Sequence, residues 1–150
     1  MPVNDVEPLG AASPDAMERR MEAFVRDAGH AWTVPRRAIA RFLCSTTAHP
    51  TAHDVLLAVS GADPSSSRAT VYNTLSLLEQ LDLIRVVRMN PGEARFDANM
   101  GPHHHLVCTA CGAVEDVAAD EVQVWRRGQA ATAEVRFDGE CAACALTRDG

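Results

Sequence analysis

The chain contains no lysine: all 14 of its basic side chains are arginine, set against 20 aspartates and glutamates for a net charge of −6. That balance excludes a protein held to nucleic acid by bulk positive charge. Residues 1–92 carry nine arginines against ten acids, so the first half is not basic either. Any affinity for DNA has to come from arginines placed locally. No apolar run reaches the ~20 residues that a membrane-spanning helix needs. Met1–Ser13 lacks a basic patch followed by an apolar core, which leaves no secretory signal and predicts a flexible N-terminus over 1–13 in a cytoplasmic protein. There is no His-Glu-x-x-His helix and no obvious nucleophile–base pair, features that a small metallohydrolase would be expected to carry. The five cysteines are an odd number, which argues against a disulfide framework.

What is present falls into two halves. From Asp15 to about Asn90 the apolar residues recur at helical spacing. Pro14 and Asp15 can open a first helix bearing Met17, Met21, Phe24 and Val25, which Gly29 ends. Pro35 suits the first turn of a second, carrying Ile39, Phe42 and Leu43, until His49-Pro50 breaks it. Thr51 can cap a third with Val55, Leu56 and Val59 inside, stopped by Gly61. Ser65-Ser66-Ser67 leads into a fourth of about 15 residues with Val71, Leu75, Leu78 and Leu81 as its stripe. The pattern then changes to strands at 84–88 and 94–96 around an Asn90-Pro91-Gly92 turn. Helices followed by a two-stranded ribbon predict a winged helix-turn-helix domain over 14–96, although the stripes alone suit many small helical domains. Past a hinge at 97–102, strands at His103–Cys108, Ala113–Val117 and Glu134–Phe137 and a short helix at Asp120–Arg127 predict a small second domain over 103–150. The fold class is α+β: an N-terminal winged helix followed by a small α/β domain. The second domain is near the size at which a metal or a partner subunit is needed for stability.

That second domain carries the metal chemistry. Cys108/Cys111 and Cys141/Cys144 are two Cys-x-x-Cys pairs separated by 29 residues. Four thiolates brought together this way make a tetrahedral site, and soft sulfur selects zinc. A thioredoxin-type redox pair is the alternative. Zinc held so would contribute about 10 kcal/mol of folding energy. Cys44, in an apolar stretch, reads as a buried structural thiol. His103 and His105 point to one face of their strand and His104 to the other, so two imidazoles on one face make half a metal site.

The ordered motifs Ala48-His49-Pro50-Thr51-Ala52-His53-Asp54, Ser67-Arg68-Ala69-Thr70-Val71-Tyr72-Asn73-Thr74-Leu75, Arg95-Phe96-Asp97, His-x-His and Cys108/Cys111 with Gly112 resemble the ferric uptake regulator family from about Thr33 to Cys144. The resemblance implies a dimeric, metal-dependent transcriptional repressor, not an enzyme, with the second domain serving dimerisation. It implies a regulatory site of His49, Asp97, His103, His105 and Asp116, whose nitrogen and oxygen donors suit Fe2+ or Mn2+. Aspartates at 97 and 116 resemble the peroxide-responsive branch, in which iron-generated oxidant attacks a histidine, here His49 or His103. The chain departs from the family in two ways. Pro102 stands where a ligand of a further histidine-rich site would be and no histidine follows His105, so no complete third site and a solvent-facing His104 are expected. The segment between Cys111 and Cys141 is also shorter than the family's. His30 and His53 read as surface residues.

The resemblance makes 67–75 a recognition helix whose N-terminal part enters the major groove of double-stranded DNA. Ser67, Arg68, Thr70, Tyr72 and Asn73 lie there: Tyr72 offers a ring to a thymine methyl, Asn73 can pair with adenine, and Arg68 suits a phosphate or guanine. Arg36 and Arg37 are phosphate or minor-groove candidates, and Arg85, Arg88 and Arg95 could touch flanking backbone. The alternative is a solvated arginine face. A dimer would match a roughly palindromic, A·T-rich operator. Competing functions remain a metal-uptake repressor without peroxide chemistry, a small metallohydrolase, and a zinc-stabilised interaction module. The last would not need His49 and Asp97 where they are.

Overall fold

Four successive helices begin at a serine or threonine hydroxyl that accepts a hydrogen bond from one of the otherwise unpaired N–H groups of the first turn. In the computed structural model, which describes residues 12–61, 64–89, 92–123 and 134–148, Ser13 caps α1 (Pro14–Asp27), Thr33 caps α2 (Val34–Ser45), Thr51 caps α3 (Ala52–Ser60) and Ser67 caps α4 (Arg68–Gln80). The cap on α3 is reciprocal. Asp54 N–H donates to Thr51 Oγ1 at 3.1 Å and Thr51 N–H donates to Asp54 Oδ2 at 2.9 Å. The Thr51 N–H, and after it the Thr51 hydroxyl donating to the same Oδ2 at 2.9 Å, hold the Asp54 carboxyl below its ordinary value of 3.8.

The apolar stripes face one another. Met21 and Val25 of α1, Ile39 and Leu43 of α2, Val55 and Val59 of α3, and Val71, Leu75 and Leu78 of α4 form the core. Cys44 lies within it, 3.9 Å from Met21 Sδ. Burial first, then the nearby Glu18 carboxylate, pushes its thiol up to about 12, so it is the inert cysteine the sequence leads one to expect. Helix α2 stops earlier than His49-Pro50. Ser45 Oγ donates to Phe42 O at 2.8 Å and Ala48 N–H donates to Thr46 Oγ1 at 3.1 Å, while Thr46 turns extended. Local side-chain bonds replace the next helical turn.

After α4 the chain forms the antiparallel pair β1 (Arg85–Val87) and β2 (Arg95–Asp97), with Val86 opposite Phe96. Residues 90–91 of the expected turn lie outside the described residues. Strand β2 also engages the chain just before α3: Thr51 bridges Arg95, and Phe96 N–H donates to Pro50 O at 2.9 Å. The ribbon is therefore tied by backbone to the start of the helix-turn-helix.

The chain divides into two units at Gly101/Pro102. In the second, β3 (His103–Cys108) lies between antiparallel β4 (Val114–Ala118) and parallel β5 (Arg136–Gly139), followed by α5 (Ala142–Arg148). Three expectations need correction. The helix at Asp120–Arg127 is, in its described part, a 3-10 turn at Ala119–Glu121 after which Val122 is extended; 124–127 lie outside the described residues. Strand β5 begins two residues later than Glu134. Helix α5 has no counterpart in the sequence reading. The described buried hydrophobics of this unit are only Val107, Cys108, Val114 and Cys141, too few for a self-sufficient core.

Thr51→Ala is expected to lower unfolding free energy by about 1 kcal/mol near neutral pH, with Thr51→Ser recovering most of it. Because Asp54 is depressed in the folded state, its share is present above its ordinary value and fades as pH falls through the folded one. Denaturant unfolding at pH 7 and pH 3 measures both, and the difference between the parent chain and Thr51→Ala should shrink at the lower pH.

Candidate metal centres

Cys108 ends β3, and the chain then turns tightly. Gly112 N–H donates to Cys108 O at 2.9 Å and Cys108 N–H donates to Ala113 O at 2.8 Å. This turn needs φ +75° at Gly112, a left-handed conformation that glycine adopts at no steric cost. Cys141 and Cys144 stand at the start of α5, where a spacing of three puts them on one helical face. Their neighbours are fastened to the first pair, since Thr109 N–H donates to Gly139 O at 2.7 Å.

The four sulfurs lie within 4.8 Å of one another, and Cys111 Sγ and Cys141 Sγ are 3.8 Å apart. Zinc–sulfur bonds of about 2.3 Å in a tetrahedron imply sulfurs about 3.8 Å apart, so the donor set fits zinc. Electrostatics agrees. The backbone N–H of Cys141, then that of Cys111, draws the Cys108 thiol down to about 6. Cys144 is pushed up to about 12 by hydrogen bonds shared with Cys111, Cys141 and Cys108. Crowded sulfurs cannot all ionise by themselves; a divalent cation supplies the charge that lets them.

The histidine and aspartate donors fall in both units. In the first, His49 Nε2 lies 3.3 Å from Asp97 Oδ2, both residues buried. His49 is held at φ +51°, unusual for a residue with a Cβ, and Arg95 Nη1 donates to its carbonyl at 3.3 Å. Asp97 Oδ1 accepts from Asn99 N–H at 2.8 Å, which orients the carboxylate.

In the second unit, His103 Nε2 and His105 Nε2 are 3.0 Å apart, at 3.4 and 3.6 Å from Asp116 Oδ1. Asp116 sits opposite His105 in the β3–β4 ladder, and residues i and i+2 of β3 share that face. His104 is not solvent-facing. It is buried, and its Nδ1 accepts from Val135 N–H at 3.0 Å. His105 Nδ1 meets Glu134 Oε1 at 3.1 Å, a contact 29 residues distant in sequence that no local pattern announces. His30 and His53 are exposed, as expected.

On α4, Arg68, Tyr72 (48% exposed) and Asn73 face outward, while Val71 and Leu75 are buried. Ser67 and Thr70 hydroxyls are 2.9 Å apart within the cap. The Arg36 guanidinium donates to Ala31 O, and Arg37 Nε lies 3.9 Å from Glu18 Oε1. The ribbon arginines have partners within the chain: Arg85 on Met100 O, Arg88 on Glu79 and Arg95 on His49 O. Among the described residues, no helix is long and apolar enough to cross a membrane.

A helix-turn-helix with a strand ribbon, joined in one chain to a sheet that bears a four-cysteine zinc-type site and to a set of His/Asp metal-type donors, defines a metal-dependent transcriptional regulator. Residues 27–139 match the model of the ferric uptake regulator family. The chain is 34% identical over 105 residues to the peroxide-responsive repressor PerR of Staphylococcus aureus, covering 68% of this chain and 71% of that one. Among solved structures, the ferric uptake regulator from Pseudomonas aeruginosa with manganese matches with TM-score 0.66 and 29% identity over 81% of this chain and 98% of that one. The Helicobacter pylori ferric uptake regulator matches with TM-score 0.73 over 93% and 97%, a likeness of fold at 16% identity. The chain belongs to the ferric uptake regulator family and is a regulator, not an enzyme.

Gly112→Ala places a Cβ with no atom within 4 Å, so its cost is conformational rather than steric. A loss of about 1 kcal/mol is expected in denaturant unfolding of the zinc-loaded protein, with Gly112→Asn milder because asparagine tolerates the left-handed region.

Proposed function

We propose that this regulator is a homodimeric, cytoplasmic repressor that binds a roughly palindromic, A·T-rich operator and senses peroxide through iron. In this reading residues 14–96 are the DNA-binding domain, 97–102 a hinge and 103–150 the dimerisation domain. Cys108, Cys111, Cys141 and Cys144 hold structural Zn2+. His49, Asp97, His103, His105 and Asp116 hold one regulatory Fe2+ or Mn2+. The observation that carries it is the split donor set: His49 with Asp97 in one unit, and His103, His105 and Asp116 in the other. Each set alone leaves an iron or manganese ion short of ligands, and their nitrogen and oxygen atoms suit those ions as the sulfurs do not.

Joining the sets would fix the angle between the units, and in a dimer the spacing of two α4 helices. Arg68, Tyr72 and Asn73 then read bases or phosphates, Ser67 and Thr70 set the start of the helix against the backbone, and Arg36 and Arg37 contact phosphates or the minor groove. Bound iron(II) would supply one-electron reduction of peroxide, yielding an oxidant able to attack an imidazole. By likeness to the peroxide-responsive branch, His49 or His103 would be the imidazole attacked, and the loss of either as a ligand would separate the two donor sets. The two aspartates support this reading, as does likeness to a relative named for its peroxide response.

Iron-loaded protein should leave its operator at low peroxide while manganese-loaded protein stays bound, and mass spectrometry should find one added oxygen on His49 or His103. An iron form as resistant as the manganese form would make this a metal-uptake regulator. Tyr72→Ala should weaken operator binding by about 1–3 kcal/mol and random-sequence binding much less; equal losses in quantitative gel shifts would remove Tyr72 from base reading.

A further inference from the structure

The His105 ring is 1% exposed and its two nitrogens meet different chemistry. Nε2 faces His103 Nε2 at 3.0 Å and Asp116 Oδ1 at 3.6 Å. Nδ1 faces a carboxylate oxygen, Glu134 Oε1, at 3.1 Å. A neutral imidazole has one N–H and one lone pair, and an ionised carboxylate can only accept. Asp116 is a carboxylate too, but at 3.6 Å it lies beyond hydrogen-bond distance of Nε2, whereas Glu134 at 3.1 Å is within it of Nδ1. The contact with Glu134 thus favours the proton on Nδ1, which leaves the Nε2 lone pair for a metal held with His103 and Asp116. Glu134 itself stands at the opposite edge of the ring, so it is no part of the converging set.

Glu134 is also held in place. The next residue is fixed on both sides, since His105 N–H donates to Val135 O at 3.1 Å and Val135 N–H donates to His104 Nδ1 at 3.0 Å. The buried His104 thus acts as a clamp on the backbone that presents Glu134. An exposed ion pair would count for little, but here one partner is fully buried and the hydrogen bond decides which nitrogen carries the proton.

The geometry points to Glu134 as a positioning residue for the regulatory metal: its carboxylate fixes the Nδ1–H tautomer of His105 and thereby readies Nε2 as a ligand. This rests on the assignment of His105 as a metal ligand. A carboxylate behind a ligating imidazole both orients the ring and makes it a stronger donor. The anchored 134–135 segment and the metal are then linked through one imidazole.

The test uses the zinc-loaded full chain with Glu134→Ala, Glu134→Gln and His105→Ala. Nitrogen-15 NMR of the chain before manganese is added should place the His105 proton on Nδ1 in the parent and redistribute it in Glu134→Ala. Manganese titration followed by electron paramagnetic resonance should show affinity lowered about 10- to 100-fold in Glu134→Ala, with Glu134→Gln in between because it keeps the acceptor and loses the charge. Retained zinc content in each variant reports an intact fold. If Glu134→Ala keeps the parent tautomer and affinity while His105→Ala loses manganese, the inference fails and the ligand assignment stands. If His105→Ala binds manganese like the parent, the ligand assignment fails and takes the inference with it.

Discussion

Four cysteine sulfurs within 4.8 Å of one another are the constraint from which the second unit follows. The unit buries few apolar side chains among its described residues, so its sheet cannot rest on hydrophobic contact alone. The sulfurs instead gather the end of β3, the turn through Gly112, the end of β5 and the start of α5. Crowding of like partial charges opposes that gathering until a cation compensates it, as the opposed shifts of Cys108 and Cys144 express. With Cys108 fixed, the β3–β4 register follows, and that register sets His103, His105 and Asp116 side by side. The sulfur cluster therefore does its work at a distance, by aligning a strand whose other end carries different donors.

The first unit makes the same kind of connection by backbone. Thr51 caps α3 and also bridges Arg95 of β2, and Asp97 closes that strand. His49 precedes Pro50, whose carbonyl is bonded to Phe96, and its own left-handed backbone is gripped by the Arg95 guanidinium. Residues that would hold a metal are thus built into the ladder on which the helix-turn-helix starts. A pull on His49 or Asp97 acts on α3 through two covalent neighbours and a few hydrogen bonds, which is a short mechanical path. The same Arg95, a candidate in the sequence for flanking DNA backbone, donates one N–H to the His49 carbonyl.

Much of this is legible in the sequence because the signals are local. Ser67 and Thr51 before apolar stripes announce capped helices, and the cysteine spacings announce a tetrahedral site. The remainder depends on what lies across from a residue in space. Period-two alternation correctly separates His104 from its neighbours, but only the return of the chain at Val135 shows that its side is covered. Helix α2 ends where Ser45 and Thr46 find backbone partners, a competition that the stronger His-Pro signal obscures. Helix α5 is hidden for the opposite reason: Ala142, Ala143, Ala145 and Leu146 favour helix, yet the cysteines among them announce metal ligation and nothing about their backbone. Glu134 has no signal, since a carboxylate gains its meaning here only from the imidazole it meets.

The central claim is that one metal ion, shared by donors of both units, switches DNA binding on. Fluorescence anisotropy of labelled operator DNA during manganese titration of the zinc-loaded protein tests it most directly, with His49→Ala titrated in parallel. The account predicts manganese-dependent binding in the parent and none in His49→Ala at the same concentrations, with zinc content equal in both. A His49→Ala chain that gains operator affinity at the same manganese concentration as the parent would contradict it.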